Sequence, residues 1–178
     1  MQKKCCDAKC YGVQGERKCL PCLRPECASK SGLYDDIRED ELCQICYTGC
    51  LRDEACTMLS CGHVFHTNCI IMLLNAGWPT TRMTFGFMSC PLCKQEIKVN
   101  GISTPVAKVL GPLLSLKRQV EREGLVQAEK QGILSDERLT TPGDAYYGKV
   151  QEFVNHRCSF YQCFECKKPY FGGLIDCE

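Results

Sequence analysis

Cysteine pairs separated by two residues recur along this sequence, and their spacing points to metal chemistry. The chain has 178 residues, of which 18 are cysteine and 3 are histidine. Two thiolates two residues apart can bind one metal ion from a tight turn, whereas a disulfide scaffold needs no such regularity. We therefore expect zinc ligands rather than disulfides. The pairs are Cys19/Cys22, Cys43/Cys46, Cys90/Cys93 and Cys163/Cys166.

Eight ligand residues in four pairs occupy the central part of the sequence. They follow the order C-x-x-C, 14 residues, C-G-H-x-x-H-x-x-C, 20 residues, C-P-L-C. A structural zinc ion takes four protein ligands, so eight ligands predict two closed sites with no open position for a reactive water. A hydrolytic zinc site is thereby disfavoured. The predicted metal ligands are Cys43, Cys46, Cys61, His63, His66, Cys69, Cys90 and Cys93.

This order resembles the RING finger, a small domain in which two zinc sites are interleaved. The resemblance implies that pairs one and three share one ion, and that pairs two and four share the other. Another interleaved two-zinc fold is the alternative. Cys50 and Cys56 fall outside the pattern, and we expect them to be spare thiols rather than alternative ligands.

Composition divides the chain into five regions. The predicted fold class is a set of small α+β zinc-stabilised domains: a cross-brace RING finger, a helical linker and the start of a second cysteine-rich zinc domain. The six cysteines of the first region could bind a further zinc ion, but spacing does not select which of them. The regions are a cysteine-rich segment (1–30), an acidic linker (31–42), the RING finger (43–98), a helical linker (101–156) and an incomplete tandem-cysteine domain (157–178).

Periodicity predicts the local structure between the ligands. Residues 68–75 are expected to form a short helix and residues 82–88 a strand. In the cysteine-free stretch, apolar residues at helical spacing predict a helix that ends near Leu110 and a second that starts at Pro112 and ends near Lys130, with Gly132 as its terminator. A further helix is expected from Val150 to Arg157. These helices are expected mainly to space the metal-binding regions.

Charge and hydropathy exclude several classes of partner. Lys and Arg number 22 and Asp and Glu 21, so no net field attracts nucleic acid or an anionic membrane. The longest strongly apolar run, residues 69–74, is too short to span a bilayer. The charged N-terminus has no apolar stretch behind it, which does not fit a secretory signal. We expect an intracellular, cytoplasmic protein.

RING domains dock a ubiquitin-conjugating enzyme on a groove between their zinc loops, and the resemblance assigns that role to four positions here. Ile45 lies within the first pair, Pro91 lies within the last, and Trp78 lies between the third and fourth pairs. An exposed aromatic and apolar residues on a rigid surface are typical of an interface hot spot. Lys94 follows the last ligand, where a basic residue can bridge the conjugating enzyme and ubiquitin. Core packing for Trp78 and simple solvation for Lys94 are the alternatives.

A longer resemblance involves the segments TRMTFGFMSCPLCK and FYQCFECKKPYFGG, together with KCLPCL upstream. These segments are similar to the C-terminal region of the Pam/Highwire ligases, the Myc-binding protein family of RING-cysteine-relay enzymes. The resemblance implies that Cys177 takes ubiquitin from the conjugating enzyme, and that a second cysteine then passes it to a hydroxyl substrate. That second cysteine would lie beyond Glu178, so we expect the chain to be a fragment. Cys163 and Cys166 would be further zinc ligands.

Three functions remain open at this point. The chain could be a relay-type ubiquitin ligase acting on a protein substrate, or a plain RING ligase that transfers ubiquitin directly to lysine. It could also be a zinc-binding interaction module without transfer activity. The carboxylates beside Cys177 disfavour its thiolate, so the local sequence does not activate it, and an unreactive exposed thiol is the alternative for that residue.

Overall fold

The computed structural model describes residues 40–99 and 102–172, which form two compact units. The first unit contains the described residues up to Gly77 together with Gly86–Pro112. The second contains Trp78–Phe85 and the described residues from Leu113 onward. Within the described ranges the strands are β1 (Cys56–Met58), β2 (Val64–His66), β3 (Phe160–Gln162) and β4 (Pro169–Phe171), and the helices are α1 (Thr67–Ala76), α2 (Thr104–Lys130) and α3 (Val150–Arg157).

The first unit is built on a short hairpin that runs directly into a helix. Strands β1 and β2 pair antiparallel, and α1 begins at the residue after β2. The turn between the strands contains Gly62 at φ +88°, a conformation that glycine adopts without steric cost. Phe65 and Ile70 are fully buried there, and most of the ligand cysteines are buried or half-buried beside them. The helix predicted for residues 68–75 is confirmed.

The long helix α2 corrects the prediction of two helices separated at Pro112. One helix runs from Thr104 to Lys130 with Pro112 inside it. Proline removes one hydrogen bond from the helix, the one that the Lys108 carbonyl oxygen would otherwise accept. Apolar burial on both sides of the proline compensates for this loss, since Leu110 and Val120 are both buried. The helix ends where predicted, and Gly132 follows at φ +67°.

The second unit has a hydrophobic core without any contribution from the eight central ligands. Phe153 and Val154 of α3 are fully buried in it, and the ring of Tyr146 packs edge-on against Phe153 at 5.1 Å between centroids. The guanidinium of Arg138 lies 4.7 Å from the centroid of the Phe153 ring. The helix predicted from Val150 to Arg157 is confirmed, and β3 and β4 form an antiparallel hairpin after it.

The strand predicted for residues 82–88 is wrong. Arg82 makes only an isolated antiparallel bridge to Tyr161, and the Met83 amide donates to the Phe160 carbonyl oxygen at 2.8 Å. Gly86–Met88 forms a 3-10 turn instead. The alternation of side chains over residues 82–88 does not correspond to one strand. Met83 is buried in the core of the second unit, whereas Met88 is buried in the first.

The predicted fold class is confirmed as small α+β structure with two Cys/His clusters. Every strand of the described ranges is three residues long. Among the described helices, none combines the length and apolar character needed to cross a membrane.

Candidate metal centres

The structure brings the eight predicted ligands together as two separate sets of four. In each set the ligand atoms all lie within 4.8 Å of one another. The sets interleave, since pairs one and three form the first and pairs two and four form the second. The first set is Cys43, Cys46, His66 and Cys69, and the second set is Cys61, His63, Cys90 and Cys93.

Distances within the sets fit a tetrahedral ion. Bond lengths to zinc of about 2.3 Å for sulfur and about 2.0 Å for nitrogen place two such ligand atoms roughly 3.6 Å apart. Nδ1 of His66 lies 3.6 Å from Sγ of Cys46 and 3.8 Å from Sγ of Cys69. Nδ1 of His63 lies 3.4 Å from Sγ of Cys61 and 3.6 Å from Sγ of Cys90.

The imidazole of His66 is held by a backbone group on its far side. Its Nε2 lies 2.9 Å from the carbonyl oxygen of Cys50. A carbonyl oxygen can only accept, so Nε2 carries a proton, and in the neutral imidazole Nδ1 then presents its lone pair to the cluster. Such a partner fixes the tautomer of a metal-binding histidine and orients its ring. Cys50 therefore contributes through its backbone, a role that sequence alone gave no means of finding.

Hydrogen bonds lower the pKa of two thiols in the sets, and burial raises the pKa of a third. Backbone and side-chain donors of Thr48 lower the pKa of Cys46 to about 6. The backbone N–H of Gln95 lowers the pKa of Cys93 to about 7. Burial raises the pKa of Cys69 to about 12. A divalent cation would favour all of these thiols as thiolates, and thiolates with imidazole are a donor set suited to zinc.

The two cysteine turns share one backbone geometry. The residue after each second cysteine, Tyr47 or Lys94, has a positive φ, +56° and +62° respectively. The amide of each donates to the carbonyl oxygen of the first cysteine of its pair, at 2.9 Å in both turns. Backbone N–H groups that follow in each turn bond the sulfurs, those of Thr48 and Gly49 for Cys46 and that of Gln95 for Cys93.

The pair Cys163/Cys166 repeats this turn in the second unit. Lys167 has φ +59°, and its amide donates to the Cys163 carbonyl oxygen at 3.1 Å. The Cys163 amide in turn donates to the Lys168 carbonyl oxygen at 2.9 Å. Within residues 40–99 and 102–172, however, this pair does not belong to any group of three or more ligand residues.

The docking residues predicted around the RING lie in both units. Ile45 and Pro91 are half-buried and Lys94 is exposed, all three in the first unit. Nζ of Lys94 donates to the Pro91 carbonyl oxygen at 2.8 Å. Leu92, which sequence reasoning did not select, is 47% exposed between the cysteines of the last pair, and Met72 on α1 is 71% exposed.

Trp78 belongs to the second unit, where its indole packs against the hydrophobic core. The ring lies edge-on to Phe85, with centroids 6.3 Å apart. Core packing is thus one role that the structure places on this residue. Its side chain is half-buried rather than fully enclosed, so the docking role stays a prediction.

Several predicted residues lie outside the described ranges or outside both sets. Cys177 and the N-terminal cysteines are beyond the described residues. Cys56 is buried, and its thiol donates to the Leu51 carbonyl oxygen at 3.0 Å. Neither Cys56 nor the thiol of Cys50 joins a set of ligands.

Two interleaved Cys/His sets on a hairpin and a short helix define a RING-like class of protein. No protein-family model matches the chain. The E3 ubiquitin-protein ligase MYCBP2 of Danio rerio is 37% identical over 173 residues, covering 97% of this chain and 4% of that protein. The E3 ubiquitin-protein ligase highwire of Drosophila melanogaster is 34% identical over 186 residues, covering 100% of this chain and 3% of that protein.

A shorter match to a RING finger protein supports the RING-like class. The RING finger protein mug145 of Schizosaccharomyces pombe is 40% identical over 58 residues, covering 33% of this chain and 16% of that protein. The chain is therefore homologous along its whole length to the Pam/Highwire ligases, and the predicted resemblance is confirmed. It spans only a few per cent of the length of the two ligases.

Proposed function

We propose that this chain is a RING-type ubiquitin ligase region that docks a ubiquitin-loaded conjugating enzyme and promotes transfer of the ubiquitin to a protein substrate. The observation that carries the proposal is the interleaving of two complete four-ligand sets in a chain homologous throughout to two ubiquitin ligases. Two zinc ions would occupy the sets. With four protein ligands each, neither ion would keep a position for water or substrate, so their role would be structural.

The reaction would then depend on docking rather than on the metal. Ile45, Pro91 and Leu92 lie within the cysteine turns of the first unit, where the bound ions would hold the backbone rigid. Each keeps part of its apolar surface accessible to a partner. A small rigid apolar surface of this kind can bind a loop of a conjugating enzyme without a large ordering cost.

Lys94 would act on the loaded enzyme rather than on its docking. Its ammonium is exposed beside the last pair and is already oriented by its bond to the Pro91 carbonyl oxygen. From there it would donate to ubiquitin and hold the thioester in a conformation open to attack. Orientation of reacting groups of this kind accelerates a reaction without any covalent step on the ligase.

A relay through Cys177 is the finer part of the proposal, and it rests on the resemblance of the sequence to the relay ligases. The Cys177 thiolate would attack the thioester of the conjugating enzyme. A new thioester would form on Cys177, the bond from the ubiquitin carbonyl carbon to the sulfur of the conjugating enzyme would break, and that cysteine would leave as the thiolate. The direct alternative is attack by a substrate lysine with no adduct on this chain. Cys163 and Cys166 would contribute to a further zinc site, since their turn has the geometry of the two RING turns.

Discharge of a charged conjugating enzyme tests the proposal. The zinc-loaded chain should accelerate loss of the ubiquitin thioester, and Ile45→Ala should reduce that acceleration at least roughly tenfold, as expected for a hot-spot residue. Val99→Ala is a matched control, because Val99 is an exposed aliphatic residue outside the cysteine turns. Equal acceleration by the two variants and the wild type would reject the docking role of Ile45. No acceleration by any of the three proteins would favour a non-catalytic interaction module.

The same assay separates relay from direct transfer. A ubiquitin adduct on this chain that is sensitive to reducing agent and absent in Cys177→Ser would support the relay. Acceleration of transfer to free lysine with no adduct would support the plain RING ligase. Trp78→Ala is compared with Phe85→Ala in parallel: a docking role predicts that only the tryptophan variant slows discharge at equal thermal stability.

A further inference from the structure

Three buried hydroxyl groups form a continuous hydrogen-bonded chain inside the first unit. Oγ1 of Thr57 lies 2.8 Å from Oγ1 of Thr67 and 2.8 Å from Oγ of Ser103. Their residues are only 1%, 1% and 4% exposed, respectively. Each hydroxyl carries one proton, so the central Thr57 can donate to one neighbour and accept from the other. Buried hydroxyls are costly unless they are paired, so the three groups depend on one another.

The hydrogen-bonded hydroxyl groups join three different elements. Thr57 is the middle residue of β1, and Thr67 is the first residue of α1. Ser103 immediately precedes α2, and its carbonyl oxygen accepts from the Ala107 amide at 2.9 Å. The two outer hydroxyls, those of Thr67 and Ser103, therefore lie at the starts of helices, and the central hydroxyl of Thr57 lies on the hairpin.

Thr67 also links the hydroxyls to the first ligand set. It follows the ligand His66 directly, and the ligand Cys69 lies two residues beyond it on the same helix. Its amide donates to the Ala55 carbonyl oxygen at 2.8 Å, next to β1. An ion bound by the first set would fix the backbone on both sides of Thr67, and through it the positions of the other two hydroxyls.

We propose that Ser103 is a positioning residue that couples metal binding at the first ligand set to formation of the start of α2. The proposal rests on the two metal sites of the proposed function, but not on ligase activity. Coupling free energies are reciprocal. If metal binding stabilises the start of α2 through Ser103, then formation of the start of α2 also strengthens metal binding. Burial of Val106 and Leu110 on the following turns brings the beginning of α2 into the first unit.

The test measures zinc retention by the full chain under challenge with a colorimetric chelator. Ser103→Ala should release one of the two RING ions roughly three- to tenfold faster than wild type, because the change leaves the buried Thr57 hydroxyl without one partner. Ser103→Thr keeps the hydroxyl and should restore slow release. Ser115→Ala, at an exposed serine within α2, should behave as wild type. Equal release from Ser103→Ala and Ser115→Ala would overturn the proposal.

Hydrogen exchange of the Ala107 amide gives a second readout in the wild-type chain. Stepwise removal of zinc should abolish its protection at the same step that frees the first ligand set. Protection that survives loss of that ion overturns the coupling even if Ser103→Ala cannot be folded. A chain that binds no zinc at all would instead refute the metal sites of the proposed function, so the two failures are distinguishable.

Discussion

The ring of His66 is held between two cysteines by different atoms: Nδ1 faces Sγ of Cys46 at 3.6 Å, and Nε2 bonds the carbonyl oxygen of Cys50 at 2.9 Å. A cysteine outside both sets thus determines which nitrogen of the histidine would face an ion. Because Cys50 acts through its carbonyl oxygen, this hydrogen bond should persist in any Cys50 variant that leaves the backbone in place. Ring position, rather than ligand identity alone, should therefore govern affinity at the first set.

The first prediction concerns the glycine that makes room for this ring. A Cβ atom on Gly49 would lie 3.2 Å from Cε1 of His66, closer than comfortable van der Waals contact. Gly49→Ala should displace the ring and weaken zinc binding at the first set by roughly tenfold, the lower end for loss of an orienting partner. Chelator competition at equilibrium measures the change.

Gly86→Ala is the matched control for that substitution. A Cβ on Gly86 would have no atom within 4 Å, and the residue lies in the same unit. Its zinc affinity should equal that of the wild type. If Gly49→Ala also binds both ions with unchanged affinity, the orientation of the ring does not limit metal binding.

Removal of the metal should affect the two units differently. Structural zinc supplies on the order of 10 kcal/mol, comparable to the whole stability of a small domain. The first unit should therefore unfold on chelation, whereas the second should keep its core around Phe153. Amide spectra of the labelled full chain check this: signals of Phe65 and Ile70 should collapse, and those of Phe153 and Val154 should stay dispersed. Simultaneous collapse of both groups would contradict it.

A third prediction addresses packing in the second unit. A Cβ on Gly124 would lie 3.2 Å from Cγ1 of Val154 and 3.6 Å from Cε2 of Phe160. Gly124→Leu should lower the free energy of unfolding by about 1–3 kcal/mol, the usual cost of overpacking. Gly111→Leu on the same helix should be neutral or stabilising, because its Cβ meets no atom within 4 Å and leucine favours helix. Denaturant unfolding in the presence of zinc measures the free energy of unfolding of both variants. Equal decreases in the two variants would show that the packing near Val154 can expand to accommodate the leucine.

The fourth prediction concerns the charge beside the last cysteine pair. Lys94→Arg should accelerate discharge of the conjugating enzyme, because a guanidinium can bond the Pro91 carbonyl oxygen and a ubiquitin acceptor together. Lys94→Ala should slow discharge roughly tenfold, the equivalent of one charge-assisted hydrogen bond. Zinc content is measured in each variant and should not change. Identical rates in all three proteins would identify Lys94 as a solvated side chain.

Residue types and spacing predicted the eight ligand residues, because each pair of ligands is a local feature of the sequence. Their division into two interleaved sets came from the resemblance to the RING finger, since spacing alone does not decide which pairs share an ion. The helices around Ile70 and Phe153 followed from apolar periodicity for a similar reason. Each depends on residues close in sequence.

Features that depend on packing between residues far apart in sequence were not predicted. Gly111-Pro112 resembled a helix boundary, yet burial of Leu110 and Val120 keeps one helix across it. The aromatic segment after Arg82 looked like a strand, but it pairs only briefly before a 3-10 turn. The bond from His66 to the Cys50 carbonyl and the hydroxyl chain of Ser103 involve groups that any residue or any serine carries, so no pattern marks them.

Interleaving has a consequence for how the chain is made. A ribosome delivers Cys61 and His63 before His66 and Cys69, so an ion already held by the first cysteine turn meets the wrong partners first. If that ion binds Cys61 and His63 first, it must exchange them for His66 and Cys69, which pairing of β1 with β2 and winding of α1 would bring into place. Maturation of the first unit should therefore be paced by metal exchange, and an excess of free zinc during synthesis should slow it by trapping the sequential pairing.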